Sequence, residues 1–177
     1  MSKLLHIIPE CYADTNLITT LLQAEVNHQK GCNQVASTMK QQYVQDFAVG
    51  IIDCDKRTPL YLSEMKMLAK SRHLQLYKHP LRSHYMITIS PAIEGFTLAC
   101  AEELNINPTV YGVAPALSDL KQQTKRVDSN KDPKLRALFS ALRSSKEMTI
   151  LSNALLYLNE QQYQADADHL KNIFSME

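Results

Sequence analysis

The chain opens on a compact apolar run, Leu4 to Ile8, closed by Pro9, whose missing N–H suits the end of a strand rather than its middle. Glu10 therefore falls just past a strand. Asp14, Thr15 and Asn16 are good helix starters, and Leu17, Ile18, Leu21 and Leu22 follow as one apolar stripe of a first helix. Glu25 to Gln29 is short and polar, a loop or a brief edge strand, and Val35, Ala36, Met39 and Tyr43 mark a second helix. Next comes Phe47 to Ile52, a run rich in branched residues that ends abruptly in Asp53 and Asp55. That pattern reads as a buried strand delivering two acids to the carboxyl edge of a sheet, where open α/β folds keep their sites. Leu60, Met65, Leu68 and Ala69 predict a third helix, Leu74 to Lys78 and His84 to Ile89 two more strands. Ser90-Pro91 reads as a helix start, with Ser capping and Pro at the first position, for a helix running to about Leu104.

Beyond Asn107-Pro108 and the Gly112 to Pro115 break, the pattern turns wholly helical. Leu135, Leu138, Phe139 and Leu142 share one face, and Met148, Leu151, Leu155 and Leu158 continue at helical spacing after a Ser144-x-x-Glu147 capping box. The fold class expected is α/β: a mostly parallel central sheet flanked by helices over residues 1–112, with an all-helical C-terminal extension over 113–177 packed on it.

Composition changes this picture little. At 177 residues and 45% hydrophobic the chain can bury a full core, and four scattered cysteines with no C-x-x-C pair suggest neither a disulfide framework nor structural zinc. No signal-like or membrane-length apolar stretch is visible, which predicts a cytoplasmic protein with no membrane partner. Charge is more informative. Between residues 121 and 146, eight cations, including Lys121, Lys125 and Arg126, face only Asp128 and Asp132. This local charge of +6 leaves −5 for the rest of a chain whose net charge is +1. An acidic edge and a basic helical surface for phosphates is one reading; solvated helix faces explain the same cations.

Three acidic features carry candidate chemistry: Glu10, the Asp53-x-Asp55 pair, and Glu94 in the first turns of a helix. Carboxylates gathered at adjacent strand ends make a hard-oxygen site suited to Mg2+ or Mn2+. Glu94 is equally an ordinary first-turn acid favoured by the helix dipole. Lys56 is either a phosphate contact or the ion-pair partner of Asp55. Tyr77 to Tyr85 contains His79, Arg82 and His84, a basic, aromatic-interleaved loop that either grips a nucleic-acid backbone or is a solvated hairpin.

Glu10-Cys11-Tyr12-Ala13-Asp14 before an apolar helix, followed later by Ile51-Ile52-Asp53-Cys54-Asp55-Lys56, resembles the signature of Toprim domains, found in primases, topoisomerases and OLD-family nucleases. The resemblance covers roughly the first hundred residues. It implies a Toprim-like fold, with Glu10 as general acid/base or metal ligand and Asp53 and Asp55 as the Mg2+-binding pair. In the nuclease branch, which includes effectors of phage defence, a further acid near the start of a later helix completes the cluster, and Glu94 stands at that place. The chain departs from the family where Cys11 replaces the usual Gly, narrowing the approach of a phosphate, and where Arg57-Thr58-Pro59 follows the Asp-x-Asp. The function so implied is metal-dependent phosphodiester chemistry on nucleic acid by a small nuclease. The alternatives are a catalytically silent module of the same fold, acting through a protein partner or as a homodimer, and a receiver-type doubly wound fold.

Overall fold

The computed structural model of the chain describes residues 2–54 and 58–175. Strand β1 (Ser2–Leu4) and strand β2 (Ile7–Pro9) divide the first apolar run, and helix α1 (Tyr12–Leu22) follows at once. Then come β3 (Ala24–Val26), α2 (Cys32–Gln42), β4 (Ala48–Asp53), a 3-10 turn at Leu60–Glu64, β5 (Lys66–Lys70), β6 (Leu74–Lys78), β7 (His84–Ile89) and α3 (Ile93–Glu103). The remainder is helical: α4 (Leu117–Thr124), α5 (Pro133–Ala141), α6 (Lys146–Gln161) and α7 (Ala167–Phe174), with short 3-10 turns between. Among the described residues no helix is long and apolar enough to cross a membrane.

The α/β class is as expected, but the sheet is mixed rather than mostly parallel. Its order is β2-β4-β7-β6-β5, with β2, β4 and β7 parallel and β6 antiparallel to both β7 and β5. The reason lies in loop length. Only residues 79–83 join β6 to β7 and only 71–73 join β5 to β6. A parallel crossover needs a dozen residues or more, so these links can only make hairpins. The third expected helix is likewise replaced by the 3-10 turn and β5, because Lys66 to Lys70 pairs with β6 and is covered by α7. Tertiary pairing overrides a spacing that looked helical.

Alternation along β4 builds two cores. Val49 and Ile51 join Ile7, Ile87 and Leu17 on one face; Ala48 and Ile52 join Ile8, Met86, Val35 and Met39 on the other. Gly50 lies under α2 on that second face. A Cβ there would come within 2.5 Å of Met86 Sδ, 2.8 Å of Met39 Sδ and 2.9 Å of Val35 Cγ1. The methionines can swing away but β-branched Val35 is stiff. Gly50→Val is therefore expected to cost about 2 kcal/mol by overpacking, read as a lower midpoint in urea unfolding.

The helical C-terminal part shares the first of these cores. Leu135, Leu138, Phe139, Leu151 and Leu155 belong to the same buried cluster as Ile7, Leu17 and Ile87. Polar ties supplement the packing: buried Asn16 donates to the carbonyls of Ser129 (2.8 Å) and Asp132 (3.0 Å), and Arg143 donates to those of Thr20 and Leu21 at the end of α1. The Arg143 bonds satisfy carbonyls that the end of α1 otherwise leaves to water.

Two expected caps are corrected. Helix α3 starts after Ala92 with no side-chain cap of its own, and Ser90-Pro91 is a cis bond outside the helix. Helix α6 is preceded by Ser145, and Glu147 reaches away from its own helix to the β5–β6 turn.

Candidate acidic site at the carboxyl edge

Parallel register places the acids. Pro9 pairs with Ile51 and Asp53 pairs with Ile89, so the ends of β2, β4 and β7 lie side by side. Glu10, the first residue past β2, accepts a hydrogen bond on Oε2 from the Asp53 backbone N–H at 3.0 Å. Asp53 in turn accepts on Oδ1 from the Ile93 N–H at 3.0 Å, so it caps α3 in place of the expected serine. An acid from the neighbouring strand thus meets the positive end of a helix dipole.

Asp14 completes the group. Cys11 is the cap of α1: its Sγ accepts from the Asp14 N–H at 3.4 Å, while Asp14 Oδ2 accepts from the Cys11 N–H at 3.2 Å. Asp14 is fully buried, and its Oδ1 meets no donor among the described residues. Glu94, 9% exposed, accepts from Thr124 Oγ1 at 2.5 Å, which docks α4 onto α3.

Electrostatics follow from this crowding. Burial, then the charges of Asp14, Glu10 and Glu94, push Asp53 up to about 9. Burial and the charges of Glu10 and Glu94 push Asp14 up to about 7 against its hydrogen bonds to Cys11. Both acids hold protons far above their ordinary range because burial disfavours the charged form and the neighbouring carboxylates add to that cost. Burial, followed by Asp14, drives the Cys11 thiol far upward, so position 11 supplies a neutral helix cap and not a thiolate nucleophile.

Not every expected residue is here. Asp55 and Lys56 lie outside the described residues. Lys125 lines the cleft above the acids, a hollow of about 630 Å³ walled by α1, α3 and α4. Arg126 faces a different hollow and pairs with Asp128 at 3.1 Å. Arg82 sits in the β6–β7 loop at the opposite edge of the sheet, because His84 pairs with Ala48 at the start of β4. Five residue steps of β7, about 17 Å, separate the two edges. The histidines of that loop are structural. His79 Nδ1 accepts from the Leu81 and Arg82 N–H groups, and buried His84 bridges Tyr61 Oη and the Tyr43 carbonyl.

Two residues of the site had little signal in the sequence. Asp14 reads as a first-turn helix acid, which it also is, and Lys121 was one cation among eight; Leu117, Lys121, Thr124 and Lys125 share the α4 face that lines the cleft.

Whether these residues fit a divalent cation rests on the donor set. Among the described residues no three His, Cys, Asp or Glu side chains enclose a metal ion. Mg2+ keeps several waters and needs only one or two carboxylates, and the donorless Asp14 Oδ1 together with the raised Asp53 and Asp14 are what a cation would relieve. The set fits a hard, hydrated cation. Compared with family models, with curated proteins and with solved structures, the chain gives no match.

Proposed function

We propose that the chain is a Toprim-like, Mg2+- or Mn2+-dependent enzyme acting on phosphodiester bonds, a small nuclease. The observation that carries this reading is the meeting of Glu10 and Asp53 on adjacent parallel strands, backed by Asp14 and Glu94, beneath two lysines. A divalent cation held by Glu10 and Asp53, with Asp55 and Glu94 as further ligands, would supply charge neutralisation at a phosphoryl oxygen and a more acidic water. Lys121 and Lys125 orient the phosphate from the α4 wall, and Asp14 holds negative charge or a proton behind Glu10. Cys11 caps α1, its Sγ turned back to the Asp14 N–H, and also lines the cleft, so a phosphate approaches past it and not past a bare Gly backbone.

The test is cleavage of plasmid and of single-stranded DNA and RNA in Mg2+ or Mn2+. Cleavage that a chelator stops, and that Glu10→Gln lowers by about a hundredfold or more, is expected. Cleavage that persists in chelator or in Glu10→Gln, or none with either metal, overturns the reading. A second reading, a silent module working through a protein partner, draws support from Leu60 and Leu81, 88% and 91% exposed beside the Tyr61–His79–His84 ring cluster at the edge away from the acids.

A further inference from the structure

The cleft above the acids has two unlike walls. On the α1 side stands Tyr12, stacked on His28 with ring centroids 4.4 Å apart and planes at 25°. His28 is itself fixed, its Nδ1 lying 2.8 Å from Thr15 Oγ1, and that hydroxyl donates to the Cys11 carbonyl at 2.7 Å. With its one hydroxyl proton committed there, Thr15 accepts from His28 Nδ1–H, so the imidazole is held as one tautomer beneath the tyrosine. Tyr12 is thus an aromatic ring clamped in place at the mouth of a cleft. Opposite, α4 presents Lys121 and Lys125, both exposed and, among the described residues, neither paired with an acid. Asp53 and Glu94 line the cleft between these walls, with Asp14 fully buried behind them.

We infer that this cleft receives a single-stranded nucleic acid, one base stacking on Tyr12 while its flanking phosphates lie on Lys121 and Lys125. The inference rests on the nuclease reading above and names its substrate class. A fixed aromatic face opposite unpaired cations is the pairing that binds single strands without regard to sequence, since every base has a π-face and every nucleotide a phosphate. The recess selects the form. A duplex keeps its bases stacked inward and is stiff over about 150 base pairs, so it cannot offer Tyr12 a base or bend a phosphate down to the acids. A single strand does both by rotation about its own backbone.

The test is anisotropy of a labelled 12-nucleotide strand, as DNA and as RNA, against its annealed duplex, with Ca2+ in place of Mg2+ to hold back cleavage. The single strand is expected to bind at least tenfold tighter than the duplex. Tyr12→Ala is expected to lose at least fivefold on the single strand, and Tyr12→Phe, which keeps the ring, to stay within twofold. Lys121→Glu with Lys125→Glu is expected to lower affinity and to flatten the salt slope by about 1.4, or 0.7 per phosphate contact. A duplex bound as tightly as the single strand, or Tyr12→Ala binding as the parent does, overturns the inference and leaves the nuclease reading to the cleavage assay. No binding to either form overturns both.

Discussion

Asp53→Asn is expected to unfold at a higher temperature than the parent at pH 8 in metal-free buffer, and to cleave nothing. The substitution keeps Oδ1, which accepts from the Ile93 N–H, and leaves the backbone N–H that Glu10 accepts, so the cap of α3 and the strand pairing survive. It removes the ionisable group. In the folded chain Asp53 titrates at about 9, and in the unfolded chain near 3.9. Between those values the folded state holds the extra proton, so stability falls as pH rises from about 4 towards 9. Asp14, at about 7, adds to the same slope over the lower part of that window. The Asn variant therefore matches the parent near pH 4 and pulls ahead as pH rises. One pKa unit is 1.36 kcal/mol; with a cluster that relaxes and shares protons, about 2 kcal/mol returns at pH 8, or roughly 4–8 °C. Mg2+ should raise the parent's midpoint at pH 8 and move the variant's much less, because binding to the native state stabilises it by mass action. An Asn variant that melts below the parent at pH 8 shows that these carboxylates do not repel one another. A stability gain joined to a loss of chemistry is the mark of a strained functional site.

Phe47 to Ile52 is a strand by composition, and acids just beyond a buried strand have one place to go, so Asp53 and Glu10 were legible from order alone. Asp14 was hidden by a second role, since the same residue that completes the cluster also closes the capping box with Cys11. Lys121 and Lys125 were legible as charge and not as position. Which face of α4 meets the cleft depends on how the helical part docks, through Glu94–Thr124 and the shared core, and no local pattern encodes that. Arg82 is the instructive contrast. Its distance from the acids follows from the β6–β7 hairpin, and a link of residues 79–83, too short for a crossover, already carried that information.

Glu147→Ala is expected to destabilise the fold strongly. Glu147 is 5% exposed, on the first turn of α6, where its spacing from Ser144 suggests a capping box. Instead its carboxylate accepts from Ser71 Oγ at 2.7 Å, the His73 N–H at 3.0 Å and the Arg72 N–H at 3.3 Å. One side chain thereby takes up the Arg72 and His73 N–H groups at the tip of the β5–β6 turn, while the Ser71 N–H goes to the Leu74 carbonyl at 2.8 Å. Truncation leaves the donors beside an empty space half-shut off from water. Bonds to a charged acceptor contribute about 1.5–3 kcal/mol each, and a stranded donor costs about 1–3 kcal/mol. The losses overlap, so about 3 kcal/mol is expected, or roughly 6–12 °C at this chain length. Glu147→Gln, which keeps one acceptor oxygen and turns an amide N–H towards the donors, should fall about midway. Hydrogen exchange locates the effect: the Arg72 and His73 amides should lose protection first, and β6 next. Ser71→Ala should cost about 1.5 kcal/mol alone and less on top of Glu147→Ala, since the two share the Ser71–Glu147 bond while Ser71 Oγ also accepts from the Leu74 N–H at 3.2 Å. If Glu147→Ala shifts unfolding by under 1 kcal/mol, the turn is held by β5 and β6 themselves, and α6 only rests against it.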